Sequence, residues 1–248
     1  MANFLLKKSY HINNLKISQF KDLWGSNGVF TTIRLVGKPG KLVLFNNHFI
    51  NLIKSLKKYK IYSKNIEENI KALIRANIRK NFKYDHLFRI ALSKKLISIS
   101  IRKRLKPSNN FELKVLNYKR TEPKYKNLQY KHIIKKLSSY DATKVDILLV
   151  YKKKVLETCT SNLLLIKNNK YYSPKNNCYI GNTINYLSKK VKINFKDINL
   201  KDIHKFEEIL LIGSGKGVTP VKFIKQYKWK NKNMTGFKRI KKNFELLI

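Results

Sequence analysis

The chain is poor in acidic residues and in arginine. Its 248 residues include 14 Asp and Glu against 55 Lys and Arg, and only 8 of those 55 are arginines. A formal charge of +41 would ordinarily suggest nucleic acid or an anionic membrane as a partner. Arginine, however, supplies the planar fork that recognises phosphates and bases, and the basic residues here are mostly scattered lysines. We therefore interpret the charge as a compositional bias that attracts anionic substrates, and we do not expect nucleic acid as a partner.

Cysteines and long apolar segments are also scarce. The two cysteines, Cys159 and Cys178, form no CxxC pair and have no metal-ligand spacing, which favours a reducing compartment and predicts no metal site. The N-terminal sequence lacks a signal-peptide core, and no apolar run approaches the roughly 20 residues of a membrane span. A hydrophobic content of 43% nevertheless argues for a folded chain. The sequence thus predicts a folded cytoplasmic protein with no membrane partner.

A linker at residues 107–110 divides the chain into two predicted domains, 1–107 and 108–248. In the first, apolar periodicity predicts strands at 28–36, 41–45, 87–92 and 96–101, and helices at 48–59 and 66–81. In the second, it predicts strands at 111–118, 146–151, 155–158, 161–166, 170–173 and 208–213, and helices at 128–137, 181–190 and 202–206. The fold class is therefore α+β, with a strand-rich, barrel-like second half.

The stretch 126–162 carries most of the functional information. Lys126 is followed four residues later by Tyr130 and, after an apolar strand, by Glu157 in the sequence Glu-Thr-Cys-Thr-Ser-Asn. This block resembles the centre of the class IV fold of pyridoxal phosphate (PLP) enzymes. That family includes branched-chain and D-amino-acid aminotransferases and 4-amino-4-deoxychorismate lyase. The resemblance implies a two-domain homodimer in which Lys126 binds the cofactor covalently, Glu157 faces the pyridine nitrogen and Tyr130 lies near the phenolic oxygen.

Two other lysines are candidates for the covalent attachment. Arg120, Pro123 and Lys126 are spaced three residues apart, which resembles the family's approach to its catalytic lysine. Lys126 lies 31 residues before the glutamate (157 − 126), close to the family spacing. The alternatives, Lys124 and Lys114, lie 33 and 43 residues before it. We predict that Lys126 is the attachment site.

Two glycine-containing turns are candidates for the phosphate site. One follows residue 180, reads Gly-Asn-Thr and opens a predicted helix, where free N–H groups and the helix dipole favour an anion. It resembles the family's Gly-Ile-Thr-Arg turn, with Ile184 in place of the arginine. The other, at 213–217, reads Gly-Ser-Gly-Lys-Gly and resembles the family's C-terminal signature; its glycine spacing is wrong for a P-loop. The predicted cofactor contacts in these turns are Asn182, Thr183, Gly213 and Ser214.

One position departs from the family pattern. The sequence His48-Phe-Ile-Asn51-Leu resembles the family's His-x-x-Arg-Leu, whose arginine grips the phosphate of PLP. Here Asn51 occupies the arginine position. Either a neighbour supplies the charge, with Lys54 one helical turn further along the same face, or PLP is held more weakly.

The substrate side is indicated by a strand and an arginine. The sequence Phe30-Thr31-Thr32 resembles the aminodeoxychorismate lyases, whereas branched-chain aminotransferases usually carry Phe-Glu-Gly there. Only one of Thr31 and Thr32 can face the pocket, because strand side chains alternate. Arg89 lies where the family places a substrate-facing arginine, although an ordinary strand arginine would look the same.

The resemblance leaves three functions open. The leading prediction is a PLP-dependent 4-amino-4-deoxychorismate lyase that releases pyruvate and gives 4-aminobenzoate for folate biosynthesis. The second is a branched-chain or D-amino-acid type aminotransferase. The third is a basic nucleic-acid-binding protein in which the PLP motifs are relics, and Asn51 is the residue that favours it.

Overall fold

The computed structural model describes residues 3–248. Contacts between Cα atoms divide the chain into two compact units. The first takes the chain up to Arg104 together with Tyr125–Lys131, and the second takes Leu105–Lys124 and His132–Ile248. The segment that carries Lys126 therefore folds with the first unit, although it lies in the second half of the sequence.

The first unit consists of one antiparallel sheet and two helices. Neighbouring strands are antiparallel throughout, in the order β2-β1-β6-β5-β3-β4. The elements are β1 (Phe4–His11), β2 (Ile17–Ser18), β3 (Gly28–Gly37), β4 (Lys41–Leu42), α1 (Phe45–Lys58), α2 (Ile66–Asn77), β5 (Tyr84–Ser93) and β6 (Leu96–Lys103).

One hydrophobic core joins this sheet to both helices. Apolar residues recur at helical spacing in α1 and α2, so each helix has one apolar face. Leu56 of α1 and Ile70 of α2 are fully buried and share the core with Ile90 of β5. Thr31 of β3 lies directly opposite Ile90 in the register, so its side chain is on the helix face of the sheet and that of Thr32 is on the other.

Most element predictions for the first half are confirmed, and the differences are shifted element ends and one strand that the sequence pattern misses. Helix α1 begins at Phe45, three residues before the predicted start, because Phe45 packs against Phe49 with ring centroids 5.6 Å apart. The predicted strand at 41–45 is correspondingly shorter. Helix α2 ends at Asn77, whose side-chain amide donates to the Tyr10 hydroxyl at 2.9 Å. The sequence pattern does not predict β1, because adjacent lysines interrupt its apolar alternation.

The second unit is rich in strands. Its sheet order is β12-β11-β10-β14-β15-β7-β8-β9-β13, with β16 paired to β15. The strands are β7 (Phe111–Asn117), β8 (Val145–Tyr151), β9 (Lys154–Thr158), β10 (Asn162–Lys167), β11 (Lys170–Pro174), β12 (Ile193–Lys196), β13 (Ile198–Asn199), β14 (Glu208–Gly213), β15 (Gly217–Ile224) and β16 (Trp229–Lys230). The helices are α3 (Lys131–Leu137), α4 (Asn182–Ser188) and α5 (Thr235–Glu245), with 3-10 turns at Leu200–Lys205 and Lys225–Tyr227.

The strand order indicates a curled sheet. Its two edge strands, β12 and β13, are separated in sequence by Asp197 alone. Because consecutive Cα atoms are about 3.8 Å apart, the two edges must come together at this residue. A sheet whose edges meet curls toward a barrel. The predicted α+β class with a strand-rich, barrel-like second half is confirmed.

Helix α3 is shorter than predicted. The sequence pattern favours a helix over 128–137, but the helix begins only at Lys131. The residues before it pair with β3 instead, since the Leu128 N–H donates to the Gly28 carbonyl at 2.9 Å. A side chain at Gly28 would clash with the Leu92 carbonyl oxygen, 2.3 Å from its Cβ, and with Leu128. Glycine at this position therefore permits the close approach of the segment that carries Lys126. No helix within residues 3–248 is long and apolar enough to cross a membrane.

Candidate functional site

Lys126 is held beside strand β3 by its own backbone. The Phe30 N–H donates to the Lys126 carbonyl at 2.9 Å, and Asn127 forms a bridge with Val29. The Lys126 ammonium lies 5.5 Å from the centroid of the Phe30 ring, and its side chain is half-buried. The backbone is thus fixed beside β3 while the side chain is not completely buried, which suits a lysine that must form and release a covalent bond.

The two alternative lysines have different surroundings. Lys114 forms an ion pair with Glu112 in the second unit, with Nζ 2.7 Å from Oε1. Lys124 is exposed in the turn that precedes Lys126. The assignment of the attachment site to Lys126 remains a prediction, and these surroundings favour it.

Thr31 and His48 form a buried pair on the helix face of the sheet. The Thr31 hydroxyl and His48 Nδ1 share a hydrogen bond of 2.8 Å, and the two residues are 5% and 3% exposed. Burial, and then the positive charge of Lys126, lower the pKa of His48 to about 3. His48 is therefore neutral at physiological pH. Thr31, one of the two predicted substrate contacts, is held by this imidazole.

Thr32, the other predicted contact, lies on the opposite face and directly across from Arg89 in the strand register. The Arg89 guanidinium stacks on Trp24, 4.3 Å from the ring centroid, and donates from Nη2 to the Asp22 carbonyl at 2.9 Å. Burial lowers the pKa of Arg89 to about 10, and the charge of Asp22 partly offsets this shift. Arg89 is thus a positioned cation rather than a freely mobile surface arginine.

Tyr130 belongs to an aromatic cluster next to these residues. Its ring centroid lies 5.4 Å from that of Trp24 and 6.1 Å from that of Phe30, and Tyr130 is 6% exposed. The Phe30 ring is also the one that Lys126 approaches. The structure therefore brings Lys126, Tyr130 and Arg89 together around the Phe30 ring. Thr32 lies on the same face of the sheet, whereas Thr31 lies on the helix face.

Asn51 and Lys54 lie on α1. Asn51 is half-buried at the edge of the stripe that contains His48, and Lys54 is exposed one turn further along. Their predicted roles at a phosphate remain predictions.

Glu157 lies in the second unit, at the end of β9, and is held by Arg120. The guanidinium donates from Nε and Nη2 to Oε1 at 2.9 and 2.7 Å, and from Nη2 to Oε2 at 2.8 Å. Both side chains are almost completely buried, with 6% and 7% exposed. The Tyr179 N–H makes a longer contact of 3.4 Å to Oε2. An adjacent guanidinium favours the charged form of a carboxylate, so the site contains a buried anion of fixed orientation.

Asn162 connects the Glu157 motif to the first predicted phosphate turn. Its side-chain nitrogen donates to the Tyr179 carbonyl, and its oxygen accepts from the Gly181 N–H at 2.9 Å. The next two residues, Asn182 and Thr183, are buried at the start of α4. Helix α4 has only seven residues, so its dipole adds little, and the fixed turn is the main feature that could bind an anion there.

The second predicted phosphate turn, 213–217, forms the β14–β15 hairpin. Gly213 pairs with Gly217, and Ser214 to Lys216 form the turn between them. Lys216 points to the interior, where its Nζ lies 4.5 Å from the centroid of the Phe111 ring and 3.9 Å from Oδ2 of Asp146. Gly213 and Ser214 are half-exposed. The lysine of this turn is therefore engaged by residues of the same unit.

The two cysteines are buried free thiols near the Arg120–Glu157 pair. Burial raises the pKa of Cys178 to about 12 and that of Cys159 still further, with contributions from Glu157 in both cases. These thiols are therefore protonated and poorly nucleophilic. Among residues 3–248, no group of three or more His, Cys, Asp or Glu side chains could hold a metal ion.

The role of Arg120 is not evident from the motif alone. The sequence pattern singles out its spacing from Pro123 and Lys126 and does not indicate its bond to Glu157. A signal was available in the composition, because Arg120 is the only arginine between Arg104 and Arg239 in a lysine-rich chain. An arginine in such a lysine-rich segment is consistent with a bidentate contact that lysine cannot make.

Comparison with solved structures gives the same fold. A branched-chain aminotransferase from Thermoproteus uzoniensis, solved with norvaline, superposes with a TM-score of 0.78 at 16% identity, covering 99% of this chain and 94% of that one. An aminotransferase from Brucella abortus bound to PLP gives 0.76 at 17%, covering 100% and 99%. A putative 4-amino-4-deoxychorismate lyase from Legionella pneumophila gives 0.72 at 18%, covering 96% and 98%. A search of curated protein sequences gave no significant match.

The family itself is established by sequence. A family model described as amino-transferase class IV matches residues 28–224, which includes both predicted turns and the whole Lys126–Asn162 block. The predicted family, enzyme class and cofactor are thereby confirmed. The chain belongs to the class IV aminotransferases, a family of PLP-dependent enzymes.

Proposed function

We propose that this protein is a 4-amino-4-deoxychorismate lyase, which releases pyruvate and gives 4-aminobenzoate. The observation that carries the proposal is the Phe30-Thr31-Thr32 strand beside Lys126. Branched-chain aminotransferases usually carry Phe-Glu-Gly at this place, with a carboxylate where this chain has a threonine. Here Thr31 is bonded to a neutral His48. The surroundings of the predicted attachment lysine therefore contain a hydroxyl and an imidazole instead of an acid.

Each unit, taken by itself, contains residues that suit a part of PLP. PLP needs an amine for covalent attachment, an anion facing its ring nitrogen and donors for its phosphate. Lys126 offers an amine on a half-buried side chain whose backbone is held beside β3. Glu157 offers a buried carboxylate oriented by Arg120, which would face the ring nitrogen.

The phosphate would be held by backbone and side-chain donors of the two turns, at Asn182, Thr183, Gly213 and Ser214. Positive charge is still required, because a phosphate is a dianion. With Asn51 at the position of the family arginine, we propose that Lys54 on the same helix supplies part of that charge. Tyr130 would lie near the phenolic oxygen of the cofactor.

The reaction needs one residue to move a proton. PLP, when bound, supplies the electron sink for the charge that develops at the substrate Cα. Lys126 would remove the proton from the substrate Cα and would then donate a proton to the departing enolpyruvyl group. Arg89, with Thr32 beside it, would bind a substrate carboxylate. Thr31 would position the proton transfer through its bond to His48.

The proposal is tested with purified protein. We expect an absorbance band near roughly 420 nm from covalently bound PLP, and we expect borohydride reduction and peptide mapping to label Lys126. Lys126→Ala should abolish the band, whereas the matched change Lys124→Ala, two residues away in the same turn, should retain it. Label on Lys114 or Lys124 would show that the assignment is wrong.

An amino-acid aminotransferase is the second candidate, favoured by the TM-score of 0.78 to the Thermoproteus enzyme. Two assays separate the candidates. Pyruvate release from 4-amino-4-deoxychorismate without a keto-acid acceptor supports the lyase, and transamination of branched-chain keto acids without pyruvate release supports the aminotransferase. We further propose a cytoplasmic homodimer, which sedimentation of the purified protein would test.

A further inference from the structure

Asp146 is a completely buried carboxylate at the start of β8. It is 0% exposed and accepts hydrogen bonds on Oδ2 from the Thr158 hydroxyl at 2.9 Å and the Thr160 hydroxyl at 2.5 Å. Its Oδ1 accepts from the Ile147 N–H at 2.8 Å. Removing a carboxylate from water is costly, and the cost is offset only where such partners are fixed. The hydroxyl groups of Thr158 and Thr160 must therefore stay in place for Asp146 to remain buried as a carboxylate.

The two threonines belong to the turn between β9 and β10. The Thr158 N–H donates to the Ser161 carbonyl at 2.9 Å, and the Ser161 N–H donates back to the Thr158 hydroxyl at 3.0 Å. This turn, residues 158–161, is flanked directly by Glu157 and Asn162. The turn therefore connects Glu157, the proposed partner of the pyridine ring, to Asn162, which fixes the 179–181 segment.

Asp146 also contacts the 213–217 turn. Lys216 of that turn places Nζ 3.9 Å from Oδ2 of Asp146 and donates to the Ala142 carbonyl at 3.2 Å. The two turns are packed together as well, since a Cβ at Gly213 would lie 3.3 Å from Oγ of Ser161. One carboxylate thus has partners in two separate turns.

We propose that Asp146 is a positioning residue that holds the 158–161 and 213–217 turns together through Thr158, Thr160 and Lys216. In the free protein it couples the order of the two turns. In the cofactor-bound enzyme, and here the inference rests on the proposed function, it keeps the glutamate side and the phosphate side of the site at a fixed separation. Side chains that support a site in this way decide how well its contacts are placed.

A matched control exists in the same unit. Glu208 of β14 is also buried, at 2% exposure, and it accepts the Gly236 and Phe237 N–H groups at 2.8 Å each. It caps the start of α5, outside both turns. Asp146→Asn and Glu208→Gln therefore each neutralise a buried carboxylate while keeping its shape, and only the first should affect the two turns.

The first test uses cofactor-free protein and amide hydrogen exchange. Lys216→Met removes the ammonium group of the 213–217 turn, with its contacts to Asp146 and the Ala142 carbonyl, and we expect it to accelerate exchange in the 158–161 turn as well. Thr160→Val should accelerate exchange at 213–217 in the reciprocal way. Glu208→Gln should affect neither turn. If each change loosens only its own turn, the proposed coupling is wrong. Because these variants retain Asp146, the test remains decisive even if Asp146→Asn does not fold.

The second test measures PLP affinity by titration of apo-protein. Asp146→Asn should weaken PLP about tenfold or more, the loss expected when a charged hydrogen-bonding group is removed, while Glu208→Gln changes it less than about twofold. Equal weakening by both variants would mean that Asp146 is only structural and would overturn the inference. Wild-type protein that binds no PLP would refute the proposed function instead, and the exchange experiment would still decide the coupling of the turns.

Discussion

Replacing Arg120 should disable the site through Glu157. The guanidinium makes three contacts of 2.7–2.9 Å to a carboxylate that is itself only 7% exposed. In Arg120→Met, the carboxylate stays buried and loses all three of these charge-assisted contacts. A carboxylate in that position is expected to take up a proton. The acid would then no longer offer a negative charge to a pyridinium.

The magnitude follows from the burial of both partners. Removing one member of a buried ion pair costs about 3–5 kcal/mol, a large part of a typical folding stability of about 5–15 kcal/mol. Glu157→Gln should cost less, about 1.5–3 kcal/mol, because the amide oxygen still accepts from the guanidinium. The double variant carries neither charge. Its loss of stability should therefore be smaller than the sum of the two single losses by about 2 kcal/mol.

The assay is urea unfolding of the four proteins, together with their PLP spectra and turnover. Arg239→Met is the control, because Arg239 is exposed on α5 and its loss should change stability by less than about 0.5 kcal/mol. Arg120→Lys keeps the charge and loses the fork, so it should restore only part of the stability and activity. A loss below about 1 kcal/mol in Arg120→Met, with additive single losses, would refute the buried coupling.

Three further outcomes are expected. Glu157→Gln should keep PLP bound and lower turnover roughly 10²-fold or more; activity near that of the wild type would make the glutamate structural. Asn51→Arg should raise the affinity for PLP about ten- to hundredfold by adding a bidentate contact to the phosphate. Lys54→Ala should lower that affinity if Lys54 supplies the charge. If neither variant changes PLP affinity in titrations, α1 does not reach the phosphate. The pKa of His48 is lowered to about 3 in the folded protein, so between about pH 3 and pH 6.5 its imidazole takes up a proton only in the unfolded state, and the free energy of unfolding falls as the pH falls through 6.5. His48→Gln should reduce the loss of unfolding free energy between pH 7.5 and pH 5 by about 2 kcal/mol, measured by urea unfolding. An unchanged pH dependence would contradict this.

Sequence patterns predict those strands, turns and helices that are determined by neighbouring residues in the chain. The hairpins β8–β9 and β10–β11 are evident because short apolar runs flank turns at Lys152–Lys153 and Asn168–Asn169, where all four residues adopt positive φ. Helix α3 is predicted too long, because the pairing of Leu128 with Gly28 is a contact distant in sequence. Such pairing overrides local helical periodicity, and no local pattern contains it.

The candidate site likewise contains residues that the sequence predicts and contacts that only the fold shows. The family resemblance predicts Lys126 and Glu157 within one block of sequence, and it predicts the two turns through their glycines. The bond between Arg120 and Glu157 spans 37 residues, and those of Asp146 depend on its complete burial. Asp146 marks only the beginning of an apolar strand in the sequence. Which charged residue is buried, and against what, becomes evident only when the strands have been placed in their sheet.

The acidic residues and arginines, which are few in this chain, nevertheless indicate some of the buried charged positions. Four of the 14 acidic residues are buried, namely Glu112, Asp146, Glu157 and Glu208, and each has partners in the fold. A bias toward lysine can act wherever a side chain reaches water, because a surface charge costs little. It cannot replace a buried carboxylate without leaving that residue's partners unsatisfied. In this chain the charge of +41 therefore describes the surface, whereas its few buried acids, and Arg120, identify the positions that the fold and the site require.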